Sequence, residues 1–161
     1  MNKTFRSLGL SALLWLLAAA VQAQVTVKDP WVRGTVTGQK TTGAFMTITS
    51  SGSAARLVSV SSPVAGVAEI HEMAMSNGTM RMRALDAGLA LPAGKPVELK
   101  PGSYHVMLMD LKQPVKAGDT VPLSLVIEGA DKSRQTVEVK AAVQALGAAP
   151  AKAPAAEHHH H

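Results

Sequence analysis

Cysteine is absent from all 161 residues. That excludes disulfides, thiolate metal ligands and a two-cysteine redox motif. Aromatic residues make up only 3% of the chain, with two Trp, one Tyr and two Phe. So few rings cannot build the stacking platform that a single-stranded nucleic acid needs. The balance of 16 Lys and Arg against 11 Asp and Glu is mildly basic. The two signs alternate along the body, so there is no basic stripe for a phosphate backbone. No glycine-rich stretch has the strand, glycine loop, lysine and helix order of a phosphate loop. Ser59, Ser61 and Ser62 lie near no plausible acid–base pair, which leaves no candidate for nucleophilic catalysis.

Glycine (13 residues) and proline (9) are plentiful and divide the chain into short runs. The first run belongs to no domain. Lys3 and Arg6 precede an uncharged apolar stretch at 8–21, and Val21-Gln22-Ala23 offers small residues for cleavage. Residues 1–23 therefore read as a secretory signal peptide, too short in its apolar part for a comfortable membrane span. At the other end, residues 157–161 resemble a tag remnant, and 144–156 form an Ala/Pro-rich flexible tail. The foldable body, residues 24–143, fits one small domain. Export without cysteine leaves its stability to packing alone.

That body is punctuated as a β-sandwich. Runs at 25–27, 43–49, 57–61, 67–75, 79–85, 97–99, 104–109, 120–128 and 136–143 are β-rich and bounded by Gly, Pro, Ser or Asn. Their near-regular spacing predicts an all-β antiparallel sandwich or barrel. Trp31 is a candidate core aromatic and Met46 a candidate core residue. Residues 139–146 are compatible with either strand or helix. Lys100-Pro101-Gly102-Ser103 has turn chemistry.

Asn77-Gly78, between two such runs, predicts a two-residue type I′ turn, because both central positions need positive φ. The register then follows: Met75 opposes Met80, Met73 opposes Met82, and His71 opposes Ala84. A period of two puts His71, Met73, Met75, Met80 and Met82 on one face. Glu72 and Arg83 pair on the other. His105 and Met107 share a face of a later strand, with Tyr104, Val106 and Leu108 turned to the core. If the two pieces meet, His71, Met82, His105 and Met107 form a set of two imidazoles and two thioethers. Such donors favour Cu(I) over Zn(II), Ca(II) or Mg(II). A strand face crowded with Met is a poor core choice where Val and Ile are available. Met73 and Met109 remain open between core, rim and auxiliary sulfur. The acceptor for the second nitrogen of each histidine is not given by the pattern; Glu72 faces away from His71.

His71 and Met82 are separated by ten residues, and His105-x-Met107 follows about twenty residues later. With the phrases His71-Glu72-Met73-Ala74-Met75, Gly78-Thr79-Met80-Arg81-Met82-Arg83 and Leu99-Lys100-Pro101-Gly102-Ser103-Tyr104-His105-Val106-Met107-Leu108, this pattern resembles the PCu(A)C family of periplasmic copper chaperones. The likeness covers about residues 27–139. It implies a cupredoxin-like Greek-key β-sandwich without the blue-copper cysteine, and Cu(I) as cargo. It places the family's four ligands on His71, Met82, His105 and Met107. It also implies delivery to the CuA-bearing cytochrome c oxidase subunit, with a Sco-type thioredoxin-like assembly factor as partner, in the periplasm and without enzymatic activity. The alternative is a metal-independent periplasmic interaction module with a Met-rich docking face. A small copper oxidase or electron carrier is disfavoured by the missing Cys ligand.

Overall fold

A computed structural model describes residues 24–148. The expected leader at 1–23, the tag-like residues 157–161 and most of the 144–156 tail lie outside the described residues. Among the described residues no helix is long and apolar enough to cross a membrane.

Ten strands follow in order: β1 (Gln24–Arg33), β2 (Thr42–Ser51), β3 (Ala55–Ser61), β4 (Ala65–Ser76), β5 (Thr79–Ala84), β6 (Leu89–Leu91), β7 (Val97–Leu99), β8 (His105–Leu111), β9 (Thr120–Gly129) and β10 (Arg134–Gln144). Hydrogen bonding links them in the path β5-β4-β8-β2-β1-β10-β9-β3-β6, with β7 on β2. Every pairing is antiparallel except that of β1 with β10. The path folds back so that β3 packs on β4 and β6 on β2. The result is a cupredoxin-like β-sandwich, as expected.

Alternation produces this closure. Ala44, Met46 and Ile48 of β2 point inward, as do Val106 and Leu108 of β8 and Leu123, Leu125 and Ile127 of β9. These residues are at most 3% exposed. Burying each large apolar side chain contributes about 1.5–3 kcal/mol, which drives the two layers together. Met46 thus holds the core position predicted for it. The segment left open between strand and helix is strand as far as Gln144. β6 had no counterpart among the expected runs: three residues are too short to show alternation, although Leu89 and Leu91 are both buried.

Trp31 is buried, but not in the inter-sheet core. The register of β1 on β2 slips by one between Lys28 and Trp31, where Asp29 takes φ 50. This bulge moves Trp31 to the outer face, against Phe45 at 4.4 Å between ring centroids. Val25 and Val27, before the bulge, still pack on the core.

Candidate metal centre

The ribbon formed by β4 and β5 has the predicted register throughout. Ser76 opposes Thr79, Met75 opposes Met80, Met73 opposes Met82 and His71 opposes Ala84. Asn77 and Gly78 have φ 49 and 76, as a type I′ turn requires. Glu72 and Arg83 pair on the reverse face.

The other half of the constellation arrives through β8, which pairs with β4 so that His71 stands directly opposite His105. The rings meet edge to face, with centroids 5.7 Å apart. On the same register Met107 opposes Glu69. Met107 therefore lies one pair along from the imidazoles in one direction, and Met82 one pair along in the other. Diagonal neighbours of this kind sit roughly 7–8 Å apart at the backbone, within reach of a long thioether. The sheet register thus brings all four predicted residues to one outer surface, with the methionine positions on either side of the histidine pair. Met73 is level with Met82 and half-buried, which makes it a neighbour of His71 as well. Val106, Leu108 and Ile70, on the alternate positions of the same strands, anchor this surface to the core.

The imidazoles are oriented by groups that the sequence pattern did not single out. Nδ1–H of His105 donates to the Ser103 carbonyl at 3.1 Å. That carbonyl is presented by the Lys100-Pro101-Gly102-Ser103 turn, closed by Ser103 N–H to Lys100 O with Gly102 at φ 82. Nε2 of His105 then keeps its lone pair. Nε2–H of His71 donates to Glu69 Oε2 at 2.7 Å, and its Nδ1 is buried with no partner in the protein. A buried unpaired acceptor costs about 1–3 kcal/mol, and a native structure retains one for a reason. Glu69 could have been found by parity, since it sits two residues before His71 on the same strand face.

Phe45 continues the row. It neighbours His105 on β2 at 6.4 Å and packs its ring over Gly43, where a Cβ would meet Phe45 Cζ at 2.7 Å. Arg33 lies over the Phe45 ring at 5.5 Å. Trp31, Phe45, His105 and His71 thus cross four adjacent strands as one band.

Burial pushes the pKa of His105 below its ordinary value of 6.5; the charges of His71 and Arg33 act in the same direction, against the hydrogen bond to Ser103. The neutral ring is the form a metal takes. In the metal-free protein the unfolded chain takes up this proton first as pH falls. The stability that the neutral ring contributes is therefore present above pH 6.5 and lost as pH drops from there through the folded value. A ring-proton NMR titration of protein lacking the terminal histidines should give His105 a midpoint below 6.5.

The donor set is compatible with a soft ion. Two lone-pair nitrogens about 2 Å from a shared metal fit rings with centroids 5.7 Å apart if the N–metal–N angle is bent. Among the described residues no three or more His, Cys, Asp or Glu side chains are grouped to hold a metal. The neighbouring donors available besides the two imidazoles are the thioethers of Met73, Met82 and Met107, which the strand register brings to the same face.

Known proteins share sequence and fold with this body. A family model described as "Putative lipoprotein LpqE-like" matches residues 25–143. The "Putative lipoprotein Lxx21020" of Leifsonia xyli subsp. xyli is 34% identical over 117 residues, covering 72% of this chain and 69% of that protein. The Cu(I) form of DR1885 from Deinococcus radiodurans, solved in solution, is 32% identical with a TM-score of 0.58, covering 78% of this chain and 83% of that one. The apo PCuAC domain from PmoF1 is 25% identical with a TM-score of 0.60, covering 77% of this chain and 97% of that one. A chain matched along its whole sandwich in this way belongs to the LpqE-like family, and its body is a PCuAC domain.

Proposed function

We propose that this chain is a periplasmic copper chaperone that carries Cu(I) on His71, Met82, His105 and Met107. The observation that carries the reading is the direct pairing of His71 with His105, which joins two distant His/Met pairs on one surface. The Cu(I)-bound state of the DR1885 relative supports the choice of ion.

Neutral imidazoles and thioethers bind Cu(I) without losing a proton, so the loaded site keeps the ion's single positive charge. The Glu69 carboxylate beside His71 lies close enough to offset it. Met82 is 47% exposed, so one ligand can leave and admit an incoming donor while the others hold. Thiolates on an acceptor are softer and negatively charged, which makes handover through a mixed-ligand intermediate downhill. The acceptor we assign is the CuA-bearing cytochrome c oxidase subunit, with a Sco-type thioredoxin-like factor as co-assembly partner. Anaerobic transfer of Cu(I) from the loaded chain to the isolated CuA domain tests this. Copper retained by the donor after long incubation would remove the oxidase from the scheme.

Glu69 holds the His71 ring by its Nε2–H, which leaves Nδ1 as the metal-facing nitrogen. Removing such an orienting carboxylate typically lowers metal affinity 10–100-fold. Glu69→Ala is therefore expected to weaken Cu(I) binding by about that factor. Nitrogen-15 NMR should show the His71 tautomer redistributing. An unchanged tautomer and affinity would show that Glu69 does not orient the ring.

The exposure of Met75, Met80 and Met82 favours a second reading, a metal-independent docking face. It predicts partner binding that is indifferent to copper and to His71→Ala.

A further inference from the structure

The sulfur face of the β4–β5 ribbon holds more thioethers than the imidazole site uses. Beyond His71 the ribbon has no third strand among the described residues, because β8 begins at His105. From there to the turn this face consists only of methionine, Met73 beside Met82 and Met75 beside Met80. A two-residue turn makes Ser76 and Thr79 the hydrogen-bonded pair. Alternation then makes Met75–Met80 and Met73–Met82 non-hydrogen-bonded pairs, the kind whose side chains stand closer. Their Cβ atoms are about 4.5–5.5 Å apart, and the flexible thioethers can turn to a common point. Met75 is 67% exposed and Met80 45%, so neither serves the core. The reverse face of the same ribbon carries the charges expected of a solvated strand, in Glu72, Arg81 and Arg83.

We infer that Met75 and Met80, with Met73 as third donor, form a second, thioether-only site for a monovalent soft cation at the hairpin tip. Three neutral sulfurs without nitrogen or oxygen select Cu(I) or Ag(I) and reject Cu(II), Zn(II) and harder ions. The tip lies two residues outboard of the Met73–Met82 row, roughly 7 Å along the strand. An ion held there can move inward by exchanging one sulfur at a time, past Met73 and Met82, to His71 and His105. No electron or proton moves in these exchanges: Cu(I) stays Cu(I) and each thioether stays neutral. Lacking imidazole and open to solvent, the tip is the weaker site and the loading end. Only the direction of travel rests on the proposed imidazole site; the tip site itself does not.

The test is a methionine-methyl NMR titration with Ag(I), in chloride-free buffer, on protein lacking the terminal histidines. The Met82 and Met107 methyls should shift over about the first equivalent, and Met75 and Met80 over about the second. Met75→Leu/Met80→Leu, exposed and volume-conserving, should lose the later step and keep the earlier one. His71→Ala/His105→Ala should lose the earlier step and keep the later one. If the Met75 and Met80 methyls stay unmoved in wild-type protein after the earlier step is complete, the tip site is overturned. If they shift in the double-histidine variant while wild type shows no imidazole step, the tip site stands and the four-ligand reading falls.

Discussion

Replacing both His71 and His105 by alanine should lower Cu(I) affinity by well over about 100-fold, more than the loss of an outer-shell group costs. His71 and His105 are the only histidines among the described residues, and they face each other across β4 and β8. Without them the ion has thioethers alone, on a face where Met82 is 47% exposed and water competes. Anaerobic competition against a chromophoric Cu(I) chelator, with the terminal histidines removed, measures the change directly. The fold should tolerate it, because both rings lie outside the inter-sheet core. Circular dichroism and urea midpoints near wild type would confirm that the loss is one of ligands. Affinity retained within about 10-fold would mean that sulfur alone holds the copper, contrary to the imidazole preference assumed here.

Leu108→Ala should have the largest effect on stability. Leu108 is fully buried on β8 and points into the core from the strand that carries His105 and Met107 outward. Truncating a buried leucine costs about 2–5 kcal/mol, through lost transfer energy and the cavity left behind. Urea unfolding of the metal-free protein reads this as a lower midpoint with little change in slope. A ligand that binds only the folded state, present at about 100 times its dissociation constant, returns about 2.7 kcal/mol. Cu(I) should therefore restore much of the lost midpoint in Leu108→Ala and almost none in a variant that also lacks His71 and His105. A cost below about 1 kcal/mol would mean that this side of the sandwich is not packed as described.

The parts of this structure that were legible in the sequence are those governed by local chemistry. Asn77-Gly78 set the hairpin register because a type I′ turn admits few other residues, and every cross-strand pair down to His71 and Ala84 follows by counting. Val106 and Leu108 were assigned to the core by alternation alone. The meeting of His71 with His105 was not legible in this way. It joins residues far apart in the chain, and the family resemblance anticipated it where periodicity could not. Trp31, a candidate core aromatic, is indeed buried, but the bulge at Asp29 turns it to the outer face against Phe45, which composition could not show. β6 escaped because Leu89-Ala90-Leu91 is too short to establish a period. Glu69 was on the correct face by parity, but its hydrogen bond to His71 depends on a rotamer that spacing does not encode.

The account depends on one coordination sphere, and copper K-edge absorption on tag-free protein loaded with Cu(I) reads it directly. The spectrum should show the Cu(I) edge with about two nitrogen and two sulfur scatterers, the sulfurs near about 2.3 Å. Met82→Leu should remove about one sulfur, and His105→Ala about one nitrogen. A sphere of nitrogen and oxygen without sulfur, or one unchanged by either substitution, would contradict the assignment of His71, Met82, His105 and Met107 as the copper ligands.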